Sequence, residues 1–464
     1  MMSAQWQNSR GLSERIIVEG RLVLETPAHF GQGDTESPLD MPLLRDPLEG
    51  KALLTGASLA GALRNYLHLI NKDLAVKLFG EVTSSQSVES RIIIDDAIGD
   101  LPQVELRDQV AMDPKTGTAA DKQKYDIELF EARTAFDLNF ELLVTQKDDD
   151  LLVQAFAQAL HGLETGEEIS LGKRKRRGFG RCKVKEWTVR RYEMTSPAGL
   201  FAWLENDRSK KFCKTGQESI TAALDTTLPE EKSSRWCILE TTFAIDGSIL
   251  IRSQGSHPKD PDAVHLSTKK NGNPVSLISG TSLAGALRKR TIIIGNTLGK
   301  DGYALANSLF GVHNYDNEKP DKLTASRVWV EEIEIQKPIE LVQTRLKIDR
   351  FTGGAYPGAL FSEQPVFSGP QTMVTFKVKL FDPKEEEVGL LLLLLKDLWL
   401  GDLTLGGEAG VGRGCLKGIE ATLQFNGSEW KITQGEGRQI TVTTDAKKTD
   451  LQTFVERLEE VSYG

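Results

Sequence analysis

The ten residues TGASLAGALR, Thr55–Arg64, return as SGTSLAGALR, Ser279–Arg288, in a chain of 464 residues. The offset is 224 positions (279 − 55), close to half the chain, and seven consecutive residues are identical in the two copies. A phrase repeated at half-length is the mark of a duplicated domain, and a duplication requires other landmarks to recur in the same order. They do. LFG follows each copy, at Leu78–Gly80 and Leu309–Gly311. Ser-Arg then opens an apolar stretch, SRIIIDDA from Ser90 and SRVWVEEI from Ser326. VAMDPKTGTA (110–119) answers LKIDRFTGGA (346–355), and the loop LGKRKRRGFGR from Leu171 answers LGGEAGVGRG from Leu405.

Apolar alternation and turn residues give both halves one plan. The first reads as a strand at 15–25, a helix from about Ser58, a strand at 91–95, a long irregular excursion, a strand at 134–144, a helix at 150–163, the glycine loop and a strand at 181–192. The second repeats it with WCILETTFAI, the Ser282 helix, RVWVEEIEI, QTMVTFKVKL, a leucine-rich helix and CLKGIEATLQF. That order, βαββαβ, is an α+β ferredoxin-like plan shared with the RRM. The strands hold few aromatics, so any RNA contact is expected through loops and helix ends. The expected division is 1–195 and 236–425 as the two domains, 196–235 as a polar linker or insertion with some helix, and 426–464 as an extension with a terminal helix.

Composition narrows the class. The net charge of −9 argues against an indiscriminate nucleic-acid coat but leaves room for a local basic groove. The one concentrated basic run is Lys173, Arg174, Lys175, Arg176 and Arg177, read as a nucleic-acid contact or else a solvated or protein-contacting face. Four cysteines form no CxxC pair and the six histidines are scattered, so no zinc signature exists and a reducing cytoplasm is the expected compartment. The longest apolar run, VGLLLLLLKDLWL at 388–400, is too short for a bilayer and no membrane association is expected.

In the repeated phrase, Ser58 and Ser282 occupy N-cap positions by type, with Gly56 and Gly280 giving a tight turn before them. Gly61 and Gly285 would each cost a helix about 1 kcal/mol relative to alanine, so a close backbone approach is expected there. A helix N-terminus suits phosphate, and Arg64 and Arg288 lie two turns in to add charge; the other reading is a capped packing helix. No Walker A ending is present.

These motifs in this order, seen twice, resemble the RAMP superfamily of CRISPR effector subunits. LDMPLLRDPLEGKALLTGASLAGALR (39–64) and IDRFTGGAYPGALF (348–361) are similar to the backbone subunits of type III complexes, and the whole resembles two such subunits fused, as in type III-D systems. The resemblance implies two tandem ferredoxin-like RAMP domains with long thumb insertions and glycine-rich loops. It implies guide (cr)RNA, complementary target RNA and other effector subunits as partners. It implies that Asp113, Asp349, Arg350 and Phe351 belong to thumbs. It also implies that the glycine loops, with Gly178, Gly180, Gly406, Gly412 and Arg413, line the guide groove beside the helix starts. In catalytic relatives a loop aspartate cuts the target with a divalent metal, Mg2+ or Mn2+. That role falls on Asp40, 16 residues before Gly56, and on Asp262, 18 before Gly280, with Asp260 a competitor and Asp46 a poorer fit. His29 and His257 share those loops as possible acid or base. A non-catalytic guide scaffold and a guide-precursor endoribonuclease remain as rival functions.

Overall fold

A computed structural model describes residues 11–33, 40–82, 87–113, 119–145, 150–229, 235–255, 259–270, 272–312, 323–435, 440–444 and 450–461. His257 lies outside them. The chain forms two compact units. One takes Met1–Leu106, Asp126–Lys175 and Phe179–Lys232; the other takes Arg107–Tyr125, Arg176–Gly178 and Ser233–Gly464.

In the first unit, strand Leu12–Leu24 is central, flanked by antiparallel Cys182–Glu193 and Ala135–Thr145, with Ile92–Ile94 beyond the latter. Numbered along the chain, these four strands lie in the order 4-1-3-2, the ferredoxin-like order. Alternation makes the sheet one-sided: Ile16, Val18, Leu22 and Leu24 are buried on one face. That face meets helix Gly56–Ile70, which turns Leu59, Leu63, Tyr66 and Leu67 inward, and helix Asp150–His161. The second unit repeats the order with Cys415–Phe425, Trp236–Asp246, Met373–Phe381 and Val328–Val330. Helices Gly280–Thr297 and Glu385–Trp399 contribute to its core.

Three expectations are corrected. The segment read as a linker is part of the first unit: Cys213–Gln217 pairs with Cys182–Glu193, and Ile220, Ala223 and Leu224 of the next helix enter the core. The second unit ends in the same manner. Strand Ser428–Gln434 pairs with Cys415–Phe425, and helix Leu451–Glu460 buries Phe454 and Leu458 against the core. Each repeat therefore carries an added strand and helix after its fourth core strand. The irregular excursion is a β-hairpin, Val104–Met112 with Ala119–Phe130, matched in the other half by Gln343–Ile348 with Ala355–Gln364.

The third correction concerns the repeated helix. Its caps are Thr55 and Ser279, whose side chains accept from the backbone N–H of Ser58 (3.3 Å) and Ser282 (3.2 Å). Ser58 and Ser282 thus sit three residues inside. The close approach falls on the first helical residues, not one turn in. A Cβ on Gly56 would lie 2.3 Å from the Ile94 carbonyl oxygen, and one on Gly280 would lie 2.2 Å from that of Arg177, whereas Gly61 and Gly285 meet nothing within 4 Å. Gly61→Ala is expected to raise stability by about 1 kcal/mol through helix propensity, and Gly56→Ala to lower it. Thermal unfolding of the two variants checks this; equal shifts would contradict it.

Candidate functional site

In both repeats the loop after the first strand returns beside the outgoing strand of the hairpin. Asp40 is exposed, and its Oδ2 accepts the backbone N–H of Asp126 at 2.9 Å. The next residues, Met41 and Ile127, pair in parallel. Asp262 is exposed, and its Oδ2 accepts the backbone N–H of Ser362 at 2.7 Å and the Ser362 hydroxyl at 3.2 Å. The next residues, Ala263 and Glu363, again pair in parallel. The two carboxylates therefore occupy the same place, one residue before the same bridge, held by the same backbone donor.

This separates the candidates. Asp260 sits against its own loop, where a Cβ on Gly255 would be 2.3 Å from the Asp260 Cβ. Asp46 closes a turn by accepting from Leu48 (3.1 Å) and Glu49 (2.7 Å). His29 is 1% exposed, with Nδ1 on the Glu128 carbonyl oxygen at 2.9 Å. Burial, then Lys173 and Arg174, push its pKa down. It is a core imidazole and does not reach solvent as an acid or base would. His265, not singled out by its sequence context, is also buried: Nε2 lies 3.0 Å from the Leu277 oxygen, and burial pushes its pKa down to about 4.

The glycine loops share one geometry. Leu171 N–H donates to the Gly180 oxygen (2.8 Å) and Leu405 N–H to that of Gly414 (3.0 Å). Gly180 and Gly414 have φ of +73° and +81°, and a Cβ on either would stand 1.8 or 2.0 Å from the Leu171 or Leu405 oxygen. Arg174 and Glu408, six residues before these glycines, are both left-handed, at φ 57° and 65°. Gly178, Gly406 and Gly412 also have positive φ.

The basic run divides. Lys173 is exposed, and Arg174 and Lys175 are half-buried. The Arg176 guanidinium donates to the Ser326 carbonyl oxygen and that of Arg177 to the Val328 oxygen (2.9 Å), so these two serve the second compact unit. Arg413 departs furthest from expectation. It is 3% exposed and bonded to carboxylates, which leaves no guanidinium face for a phosphate. Arg288 donates to the Gly311 oxygen (2.7 Å) and to Asn307, while Arg64 is exposed. At the helix start, Gly56 N–H is taken by Asp96 (2.7 Å) and Ser58 N–H by Thr55. The Ser58 hydroxyl accepts from Thr55 Oγ1 at 2.9 Å.

The second hairpin exposes Phe351 at 99%, with Leu346, Ile348, Tyr356 and Leu360 also exposed. Asp349 closes its tip by accepting the Phe351 N–H at 2.9 Å, with Arg350 exposed between them. Asp113 lies at the edge of the described part of the first hairpin. Among the described residues no group of three or more histidine, cysteine, aspartate or glutamate side chains gathers to hold a metal. One carboxylate per loop does fit a hard divalent cation that keeps most of its water and takes further oxygens from a phosphate.

Hydrogen bonds from the Ser362 backbone and hydroxyl hold the Asp262 carboxyl below its ordinary value. Ser362→Ala, which keeps the backbone donor, is expected to move that pKa part of the way back up. A depressed aspartate is ionised above its folded pKa, so the structural contribution of this bond is lost as pH falls through that value. Carboxyl NMR titration of Asp262 checks both the direction and the partial recovery.

Among known proteins, the model of the RAMP superfamily matches this chain twice, at residues 21–183 and 254–417. A protein of Streptococcus thermophilus described as CRISPR system Cms endoribonuclease Csm3 is 24% identical over 202 residues, 38% of this chain and 90% of that protein. Among the described residues no helix is long and apolar enough to cross a membrane.

Proposed function

The chain belongs to the RAMP superfamily, and on that footing we propose that it is a two-repeat backbone subunit of a type III CRISPR effector, binding guide RNA and cutting paired target RNA once per repeat, at Asp40 and Asp262. The observation that supports this best is the twin placement of those carboxylates on the backbone donors of Asp126 and Ser362. Two loops of different sequence hold the same exposed acid beside the same hairpin strand. The similarity to the Streptococcus endoribonuclease supports the class of reaction. Partners on this reading are guide RNA, target RNA and the other effector subunits, and the compartment is the cytoplasm.

Each aspartate has one oxygen fixed by a backbone N–H, which aims the other outward. Such a carboxylate accepts the proton of a target 2′-hydroxyl as that oxygen attacks the adjacent phosphorus. The 5′-oxygen leaves with a proton from solvent, giving a 2′,3′-cyclic phosphate and a 5′-hydroxyl end. The donors on Asp262 keep it ionised, which suits orienting a hydroxyl and holding a cation. Asp40 and Asp262 would be the residues to hold a divalent metal, which would supply charge stabilisation at the scissile phosphate. The exposed side chains of the second hairpin, Phe351 foremost, offer apolar surface against unstacked bases.

In the assembled complex, Asp40→Ala should abolish one product and Asp262→Ala the other, each by roughly a hundredfold or more, with target binding intact. Chelating the metal should remove both, and a 2′-deoxynucleotide at one scissile position should silence that cut alone. A product pattern unchanged in both variants would leave a guide scaffold without catalysis.

The guide is expected to use the outer part of the basic run. Replacing Lys173, Arg174 and Lys175 by alanine should lower the slope of log affinity against log salt by roughly 0.7 for each phosphate no longer neutralised. Replacing Arg176 and Arg177 should instead lower the melting temperature, because their carbonyl partners at Ser326 and Val328 lose their donors. Filter binding across a salt series and thermal unfolding separate the two.

A further inference from the structure

The twin aspartates are held by one device and backed by two. In the first repeat, Ile127 follows the donor Asp126. It is buried with Leu129 and Phe179, and Met41 packs against them. Phe179 is the residue before Gly180 of the glycine loop. In the second repeat the corresponding residues are Glu363, after the donor Ser362, and Arg413, before Gly414. Both are buried, at 0% and 3% exposure. Glu363 Oε1 accepts Arg413 Nη2 at 2.6 Å and Arg345 Nε at 2.8 Å. Glu408 accepts Arg413 Nε at 3.1 Å, Arg345 Nη1 at 3.1 Å and Arg252 Nη2 at 2.7 Å. Arg413 Nη2 also meets Gln343 Oε1 at 2.9 Å. The network joins the hairpin through Gln343, Arg345 and Glu363, the glycine loop through Glu408 and Arg413, and the aspartate loop through Arg252.

We propose that Glu363 and Arg413 are positioning residues for Asp262, doing with a buried ion pair what Ile127 and Phe179 do for Asp40 with an apolar contact. This rests on the cleavage reading above for its functional half. The strand carries the argument: Glu363 directly follows Ser362, so fixing its side chain inward fixes the rotation of the strand and with it the direction of the Ser362 N–H that meets Asp262. The pair leaves Arg413 Nη1 buried without a partner, and burial with the neighbouring Glu408 carboxyl pushes Glu363 above its ordinary range, so the network is not fully satisfied. Removing Glu363 leaves the buried Arg413 to Glu408 and Gln343, and removing Arg413 leaves the buried Glu363 to Arg345 alone, so either single loss loosens the anchor, whereas replacing both by residues of matching shape restores a packed contact. The first repeat supplies that replacement.

The test uses the full-length protein, free and in the assembled complex. Glu363→Ala and Arg413→Ala should each speed amide exchange at Ser362 by roughly tenfold or more. The paired exchange Glu363→Ile with Arg413→Phe should return it to within about twofold of the parent. In single-turnover cleavage, each single variant should slow the Asp262-dependent cut by up to roughly a hundredfold, as a displaced catalytic group does, and leave the Asp40-dependent cut unchanged. The paired variant should recover the rate. Unchanged exchange at Ser362 in folded single variants would overturn the proposal. So would a folded paired variant that exchanges roughly tenfold or more faster than the parent, a comparison that stands even if the single variants fail to fold. A parent complex with no Asp262-dependent product would sink the cleavage reading of that repeat instead, with the exchange result still deciding the positioning role.

Discussion

Both repeats depend on a backbone contact too close for any side chain. Where the glycine loop closes, the Leu171 carbonyl oxygen stands over the α-carbon of Gly180, and that of Leu405 over Gly414, at distances that exclude a Cβ. The same glycines donate their N–H to Pro27 (2.9 Å) and Ser248 (2.7 Å), at the ends of the first strands. One residue with left-handed φ thus ties the last loop to the strand from which the aspartate loop departs. The residue just before it, Phe179 or Arg413, is then presented to the hairpin strand. Position passes from glycine to anchor, from anchor to strand, and from strand to the carboxylate.

Much of this order is legible in the amino-acid sequence, for a physical reason. A one-sided sheet writes its pattern in alternation, and the core strand read at 415–425 matches Cys415–Phe425. The hairpin strands are harder to read because no continuous core selects one face of them; Leu346, Ile348, Tyr356 and Leu360 all remain exposed. The segment after Tyr192 reads as a linker because its helices are short and its strand, CKTGQ, is polar. Only pairing with the neighbouring strand reveals it as part of the sheet.

The candidate site is proposed by position and less so by role. The family resemblance points to Asp40 and Asp262, but the backbone donors they share are invisible to any motif because they come from main chain. The caps lie three residues from where the sequence puts them because Thr55 and Ser58, like Ser279 and Ser282, are both capping types, and only geometry chooses between them. Arg413 and Arg288 show the opposite failure. Arginine near a glycine loop or a helix start reads as a phosphate ligand, yet each is committed to acceptors within the chain. Charge in a sequence is ambiguous until its counter-charges are located, and Glu363 and Glu408 lie 50 and 5 residues from Arg413 along the chain.

The difference between the two anchors also bears on how a duplicated fold diverges. A buried ion pair is not intrinsically more stabilising than a packed apolar pair, because the desolvation of both charges offsets their attraction; losing one partner alone costs about 3–5 kcal/mol. A change from Ile and Phe to Glu and Arg, or the reverse, is therefore nearly neutral once both are exchanged and damaging after the first. What such an exchange must preserve is the spatial relation between loop and strand, since that relation aims the Asp126 and Ser362 N–H groups. The side chains of the anchor are free to change chemistry as long as they change together. By contrast Gly180 and Gly414, whose α-carbons lie under a carbonyl oxygen, have no alternative residue. The repeats can thus differ in charge, as KRKRR and GEAGV do, while the carboxylates stay in the same register.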